Sequence, residues 1–226
     1  MFQLNIRGFN QAKRKELQNI LVRHAPDIFL LRETFLKQEN IVHDFKGYNI
    51  ARWDRVHKAG GGLLSLVKND LAFRIHDPSP QGEMEVGIID IKLLGSNKWI
   101  SIANCYAPKT NKFSLNQFKL IVNACGPVKI ISGDFNLHHR MWDTVSPEDP
   151  IATPLTNYIL EPINKLSLVT PKDLNTRLNP QTGKYSTIDL TFTSSDIINS
   201  VEIQKPCVFD SDHEVLSLML EINTVR

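Results

Sequence analysis

The stretch Val128–Trp142 reads VKIISGDFNLHHRMW, and its reading decides the fold. It opens as a short apolar strand, Val128–Ser132, that breaks at Gly133 and is followed at once by an acid and an amide, Asp134 and Asn136, on either side of Phe135. In a sharp loop both polar groups can face one pocket while Phe135 anchors the turn from below, a common way to mount chemistry on a rigid scaffold. Alone the tetrapeptide GDFN says little, because a strand ending in Gly-Asp is ordinary turn punctuation.

Other fragments agree with it in chain order. FQLNIRG at the start is a short strand carrying Asn5; PDIFLLRET is a buried strand delivering Glu33 at its end; WISIANCYAP ends at Tyr106; YSTIDLTF carries Asp189; SDHEVL carries Asp212 and His213. Polar groups repeatedly sit where apolar strands stop. That is the expected layout of an active site at one edge of a sheet sandwich, where residues distant in sequence converge.

The periodicity predicts amphipathic helices over Lys13–His24 and Phe113–Ala124, and a helix over Thr153–Leu166 that Pro162 shortens or kinks. Strands are expected at Asp27–Leu31, Tyr48–Trp53, Leu63–Val67, Glu85–Leu94, Lys98–Tyr106, Val128–Ser132, Ser186–Thr193, Val201–Lys205 and Val215–Ile222. In YSTIDLTF, Ile188, Leu190 and Phe192 share one face while Asp189 points the other way, which predicts a carboxylate outside the core. Many strands with a few packing helices indicate an α/β sandwich.

The 226 residues, 42% of them apolar, suffice for one substantial core, and no linker divides them, so a single domain over 1–226 is expected. A formal charge of +2 is too small to announce a nucleic-acid binder, so any DNA contact must come from local grouping of charge. Cys105, Cys125 and Cys207 lack metal-ligand spacing and are odd in number, which argues for reduced thiols inside a cell. No apolar run approaches the roughly 20 residues that span a bilayer, and no signal peptide opens the chain, so a soluble intracellular protein without membrane association is expected.

The ordered set resembles the endonuclease/exonuclease/phosphatase superfamily. GDFNLHHRMW, KYSTIDLTF and QNILVRHAPDIFLLRETFL look most like the endonuclease domain of insect-type non-LTR retrotransposons of the jockey kind. The resemblance covers nearly the whole chain. It implies a four-layered α/β sandwich, two mixed sheets face to face with helices outside, and a magnesium-dependent endonuclease that nicks double-stranded DNA, leaving a 3′-hydroxyl to prime reverse transcription. It further implies a monomer acting in the nucleus, with a reverse transcriptase domain in the parent element and Mn2+ as an alternative to Mg2+.

Residue by residue, the resemblance implies Glu33, Asn5 and Asp212 as metal-site residues, fitting the preference of hard cations for oxygen. His213 is the partner of the attacking water and Asp189 fixes its tautomer. Asp134 would exchange a proton with the water or the leaving oxygen, Asn136 would donate to a phosphate oxygen, and Tyr106 would reach the phosphate or the leaving group. Ser186, Arg7 and His139 are candidate substrate contacts. Two positions depart from the pattern, Leu4 where relatives often carry tryptophan and Arg32 where glutamine is common.

Some motifs read as structure. The adjacent His138 and His139 diverge and lack a third ligand of zinc spacing, so a structural or DNA-facing role is expected, and Trp142 reads as a core anchor. Gly60–Gly62 reads as a flexible turn, and Arg52, Arg55, His57 and Lys58 before it are candidates for backbone contacts. An abasic-site nuclease or a phosphatase of the same fold, and a non-catalytic binding module, remain as alternatives.

Overall fold

The computed structural model describes residues 1–56, 58–76, 82–93, 95–109 and 112–220, the side chains of residues 198 and 199 aside. His57 and the outer ends of two expected strands, Leu94 and Ile222, lie outside these residues.

Two six-stranded sheets face each other. The first takes β1 (Phe2–Asn5), β2 (Ile28–Arg32), β3 (Tyr48–Trp53), β4 (Leu63–Lys68), β13 (Val201–Gln204) and β14 (Leu216–Leu220) in the order β13-β14-β1-β2-β4-β3. The second takes β5 (Phe73–Ile75), β6 (Glu85–Lys92), β7 (Trp99–Tyr106), β8 (Lys129–Asp134), β9 (Leu166–Leu168) and β12 (Asp189–Ser194) in the order β5-β6-β7-β8-β12-β9. Both are mixed: β1 runs parallel to β2, and β7 to β8, in otherwise antiparallel ladders. A separate hairpin pairs β10 (Arg177–Leu178) with β11 (Tyr185–Ser186).

Three apolar clusters define four layers. Leu17, Ile20 and Leu21 of α1 (Gln11–His24) pack on Leu4, Phe29, Leu31 and Leu64 of the first sheet. Ile28, Leu30 and Val67 meet Ile89, Ile102 and Ile130 between the sheets. Phe118, Ile121 and Val122 of α2 (Leu115–Ala124), with Leu155 and Ile159 of α3 (Thr153–Leu160), cover Ile131, Leu190 and Phe192 on the outer side of the second sheet.

The helix ends have local causes. Asn10 and Ser114 accept backbone N–H bonds from Lys13 and Gln117, which starts α1 and α2 two residues away from their periodicity-based limits. The third helix ends at Leu160 rather than Leu166. Glu161, forced extended by Pro162, closes it, and a 3-10 turn at Pro162–Asn164 leads into β9. The expected strand Ser186–Thr193 is split, because Ser186 belongs to the hairpin and the ladder with β8 begins only at Asp189.

Asp189 is the larger correction. Alternation does place it opposite Leu190 and Phe192, yet it is only 1% exposed. Both faces of this sheet are covered, so the face away from α2 is the space between the sheets rather than solvent. At that end the interior turns polar: Gln3 Nε2 donates to Thr191 Oγ1 (2.9 Å), and Ser132 Oγ and Arg32 Nη2 donate to Gln3 Oε1 at 2.6 and 2.8 Å. The Gln3–Thr191 and Ser132–Gln3 bonds, with Arg32 Nη2 to Ser132 Oγ (3.2 Å), cross from one sheet to the other and fix the strand ends that carry Asn5 and Glu33 against those that carry Asp134 and Asp189.

Candidate active site

Register brings the strand ends together. Asp134 closes β8 directly between Tyr106 on β7 and Asp189 on β12, while Asn5 stands beside Arg32, the residue before Glu33. Gly133 is required by packing, since a Cβ there would stand 2.6 Å from the Cys105 carbonyl oxygen and 2.9 Å from the Phe135 ring. Phe135 is fully buried, pinning the turn on which Asp134 and Asn136 sit.

A cavity of about 400 Å3 opens over these ends, lined by Arg7, Glu33, Pro108, Lys109, Asp134, Asn136, His138, Arg177 and His213. Three of these residues, Arg7, Glu33 and Asn136, hold positive φ (48°, 50° and 48°), a region that non-glycine residues enter rarely and mostly where the surroundings enforce it. For Glu33 the bracket is the triple glycine: Thr34 N and Phe35 N donate to the carbonyls of Gly62 and Gly61, and a Cβ on Gly62 would stand 2.6 Å from Thr34 Oγ1. The segment is thus a hydrogen-bonded support for Glu33 and not a free turn.

The buried Asn5 amide donates to Glu33 Oε1 (3.0 Å) and Asp134 Oδ2 (2.9 Å), while its oxygen accepts from Arg7 N (3.2 Å). Tyr106 OH also donates to Glu33 Oε1, at 2.5 Å. Burial, and then the Glu33 charge, push the Tyr106 hydroxyl above its ordinary range, so it stays a donor. Asn136 Nδ2 donates to the Ala107 carbonyl (2.8 Å), which sets the amide plane at the cavity wall.

His213 is buried between two carboxylates, with Nδ1 2.8 Å from Asp189 Oδ2 and Nε2 3.7 Å from Asp134 Oδ2. Burial alone would lower its pKa; the charges of Asp189 and Asp134, with the Asp189 hydrogen bond, overcome this and raise it to about 9. The Asp134 carboxyl is pushed up, first by burial and further by Asp189, against the pull of the His213 charge. Asp134, Asp189 and His213 also form a compact potential ligand group, their donor atoms within 4.8 Å of one another. The short Nδ1 contact and the raised imidazole describe an ion-paired proton centre better than a cation cage.

The hairpin is stitched behind this centre. Thr176 Oγ1 accepts from Ile188 N (3.0 Å) and Asp189 N (3.1 Å), and Leu178 N and Glu214 N bond to the carbonyls of Asp212 and Thr176. Asp212 Oδ2 pairs with Arg7 (2.7 Å) and Arg177 (3.1 Å), whereas its buried Oδ1 has no partner among the described residues.

Not every sequence candidate reaches the cavity. His139 is buried against Trp142, their rings 5.3 Å apart, and does not line it; His138 does. A period-two reading from Asp134 through Asn136 selects His138, a signal that was available in the sequence. Ser186 sits in the hairpin, its carbonyl bonded to Thr176 N, and is not among the lining residues. Of the basic loop, Arg52 is held by Asp54 and the carbonyls of Lys37 and Asn40, Arg55 pairs with Glu85, and Lys58 pairs with Glu83 at 3.7 Å. The cavity's cations are instead Arg7, Lys109 and Arg177.

A sandwich of two mixed sheets with a histidine–aspartate pair at one edge defines a hydrolase of the endonuclease/exonuclease/phosphatase class. Within it, the chain belongs to the Endonuclease-reverse transcriptase family (Exo_endo_phos_2), whose profile matches residues 100–217. It is 27% identical over 142 residues to the RNA-directed DNA polymerase from mobile element jockey of Drosophila melanogaster, a match covering 61% of this chain and only 15% of that protein. The endonuclease domain of TRAS1, a telomere-specific non-LTR retrotransposon, superposes with a TM-score of 0.75 at 16% identity, covering 98% of each chain. An AP endonuclease from Archaeoglobus fulgidus gives 0.69 at 16% identity, again covering 98% of each. No helix among the described residues is long and apolar enough to cross a membrane.

Proposed function

We propose that residues 1–226 act as one magnesium-dependent endonuclease domain that nicks double-stranded DNA and leaves a 3′-hydroxyl able to prime reverse transcription. The observation that carries this is the convergence of Glu33, Asp134, Asn136 and His213 on one cavity, with Glu33 and Asn136 held in left-handed backbone.

The oxygen donors fit a hard divalent cation. Glu33 Oε1 is occupied by Asn5 and Tyr106, whereas Oε2 makes no hydrogen bond among the described residues, and Asp212 Oδ1 is a buried orphan. Glu33 and Asp212 would hold the cation; the Asn5 amide nitrogen orients Glu33 and Asp134, while its oxygen, accepting one bond from Arg7 N, keeps a second lone pair for the metal site. Bound there, magnesium supplies charge to a crowded phosphate and acidifies water.

The remaining roles follow from hydrogen-bond capacity. In its neutral form, which a nearby cation and rising pH would favour over the raised, charged ring of the metal-free protein, His213 takes the proton of the attacking water at Nε2, and Asp189 holds Nδ1–H and balances the imidazolium formed. Asp134, whose carboxyl burial pushes up, would pass a proton between His213 and the reacting oxygens. Arg7, Lys109, Arg177 and the Asn136 amide hold the phosphate, and Tyr106 keeps Glu33 in place. The exposed tip of the β10–β11 hairpin reads groove shape, favouring DNA that bends easily at pyrimidine–purine steps.

Supercoiled plasmid, an abasic duplex and inositol phosphates, each with and without magnesium, separate this reading from its rivals. Nicking of intact plasmid is expected. Cleavage of the abasic duplex alone would assign a repair nuclease, release of inorganic phosphate alone a phosphatase, and inertness on all three a binding module.

A further inference from the structure

We propose that His138, clamped by Asp143, is a second imidazole of this pocket and donates through Nε2–H to a non-bridging oxygen of the phosphodiester being cut; this rests on reading the cavity as a phosphodiester site.

His138 lines the same cavity as His213, and its Nδ1 is 2.7 Å from Asp143 Oδ2. The Asp143 side chain is 1% exposed against 28% for His138, so the carboxylate is the inner anchor and the ring the outer, reachable part. Asp143 stays ionised as that anchor, because hydrogen bonds from His138, Ser146 and Val145 outweigh the upward push of burial and bring its carboxyl below its ordinary range. A carboxylate only accepts, so Nδ1 carries the hydrogen in every charge state. Nε2 is then the one ring atom left to meet a ligand. On a charged ring it is a donor, the form from which a phosphate oxygen can accept.

The loop does not need this ring to hold its shape. Asp143 Oδ1 already ties Val145 N and Ser146 N, Trp142 Nε1 is tied to the Leu137 carbonyl, and the His138 main chain is bridged twice to Asp149, by His138 N to Asp149 Oδ2 and by Asp149 N to the His138 carbonyl. A hydrogen-bonded frame therefore presents one partly exposed imidazole to a pocket that also holds Arg7, Lys109 and Arg177. That combination suits an anionic, tetrahedral oxygen group.

Single-turnover nicking of supercoiled plasmid tests it with His138→Gln and His138→Ala. Glutamine retains a donor for Asp143 and loses the charge. Both variants should cut about 10- to 100-fold more slowly, the range of one hydrogen bond to a charged group, with duplex binding in calcium changed by less than about threefold. Added imidazole should restore part of the rate of His138→Ala. Rates within about twofold of the unsubstituted protein, beside an inactive His213→Ala control, would overturn the role of His138 and leave the pocket reading standing. If the unsubstituted protein cuts no DNA, that reading fails separately. The His138 contact is then judged from imidazole 15N spectra during titration with a short duplex in chelator: a shift of its Nε2 supports the contact, and an unmoved resonance rejects it.

Discussion

Arg32 Nη1 lies 3.9 Å from Asp189 Oδ1, both side chains shut away from solvent, so a guanidinium stands behind the carboxylate that anchors His213. Its Nη2 makes both of its hydrogen bonds, to Gln3 and Ser132, while Nε and Nη1 have none among the described residues. Arg32→Ala leaves the Asp189 charge without this partner and should destabilise the protein by about 3 kcal/mol or more in urea unfolding, the range for breaking a buried pair. Arg32→Lys should lose less, because one ammonium can replace the single nitrogen that bonds. A neutral Arg32→Ala would mean that the guanidinium is not coupled to the site.

Tyr106→Phe removes one of two donors to Glu33 Oε1 and nothing from the core packing. Nicking should fall about 10- to 100-fold, corresponding to roughly 1.5–3 kcal/mol for a bond to a charged acceptor. The magnesium concentration for half-maximal rate should rise with it. A changed rate with an unchanged magnesium requirement would place Tyr106 on the substrate instead.

The sequence carried most of the fold because strand ends are chemically marked: apolar runs stop at Glu33, Tyr106 and Asp134, another starts just after Asp212–His213, and Pro108 and Gly133 punctuate two of these ends. It did not carry the burial of Asp189, since period-two alternation reports which residues share a face but not whether the second face meets water or another sheet. Short strands such as Phe73–Ile75 and Leu166–Leu168 are specified by the neighbours they pair with, so local propensity passes them over. The choice between His138 and His139 was legible in the period-two pattern from Asp134 through Asn136, in a loop that Trp142 and Asp149 hold in place.

His213→Ala should lower turnover on the order of 10²-fold or more, and Asp189→Asn by a similar factor. Because Nδ1 and Oδ2 act as one unit at 2.8 Å, the double substitution should cost much less than the sum of the two singles in free energy. Strict additivity, measured by single-turnover nicking of all four proteins, would show that the two groups work separately.

The metal-free protein should lose stability as pH rises. The folded pKa of His213 is raised to about 9, so its contribution is complete below the unfolded value near 6.5 and disappears as pH climbs through about 9. Asp134, also raised, acts in the same direction at lower pH. Urea unfolding in chelator should show a decline on the order of 3 kcal/mol between pH 6.5 and 9 from His213. Asp189→Asn, which removes the largest charge raising that pKa, should flatten it, and an equal slope in the variant would contradict the assignment.

Nicking depends most directly on Glu33, the acid held in left-handed backbone by the Gly61 and Gly62 carbonyls and offered to the cavity with one oxygen unbonded among the described residues. Glu33→Gln keeps its size and its acceptor for Asn5 and Tyr106 while removing the charge. The decisive measurement is conversion of supercoiled plasmid to nicked circle in magnesium by the unsubstituted protein and by Glu33→Gln, with the nicks tested for extension by a DNA polymerase. Extendable, magnesium-dependent nicks are expected from the unsubstituted protein and none from Glu33→Gln at unchanged folding. Full nicking by Glu33→Gln at ordinary magnesium would contradict a metal held at this acid.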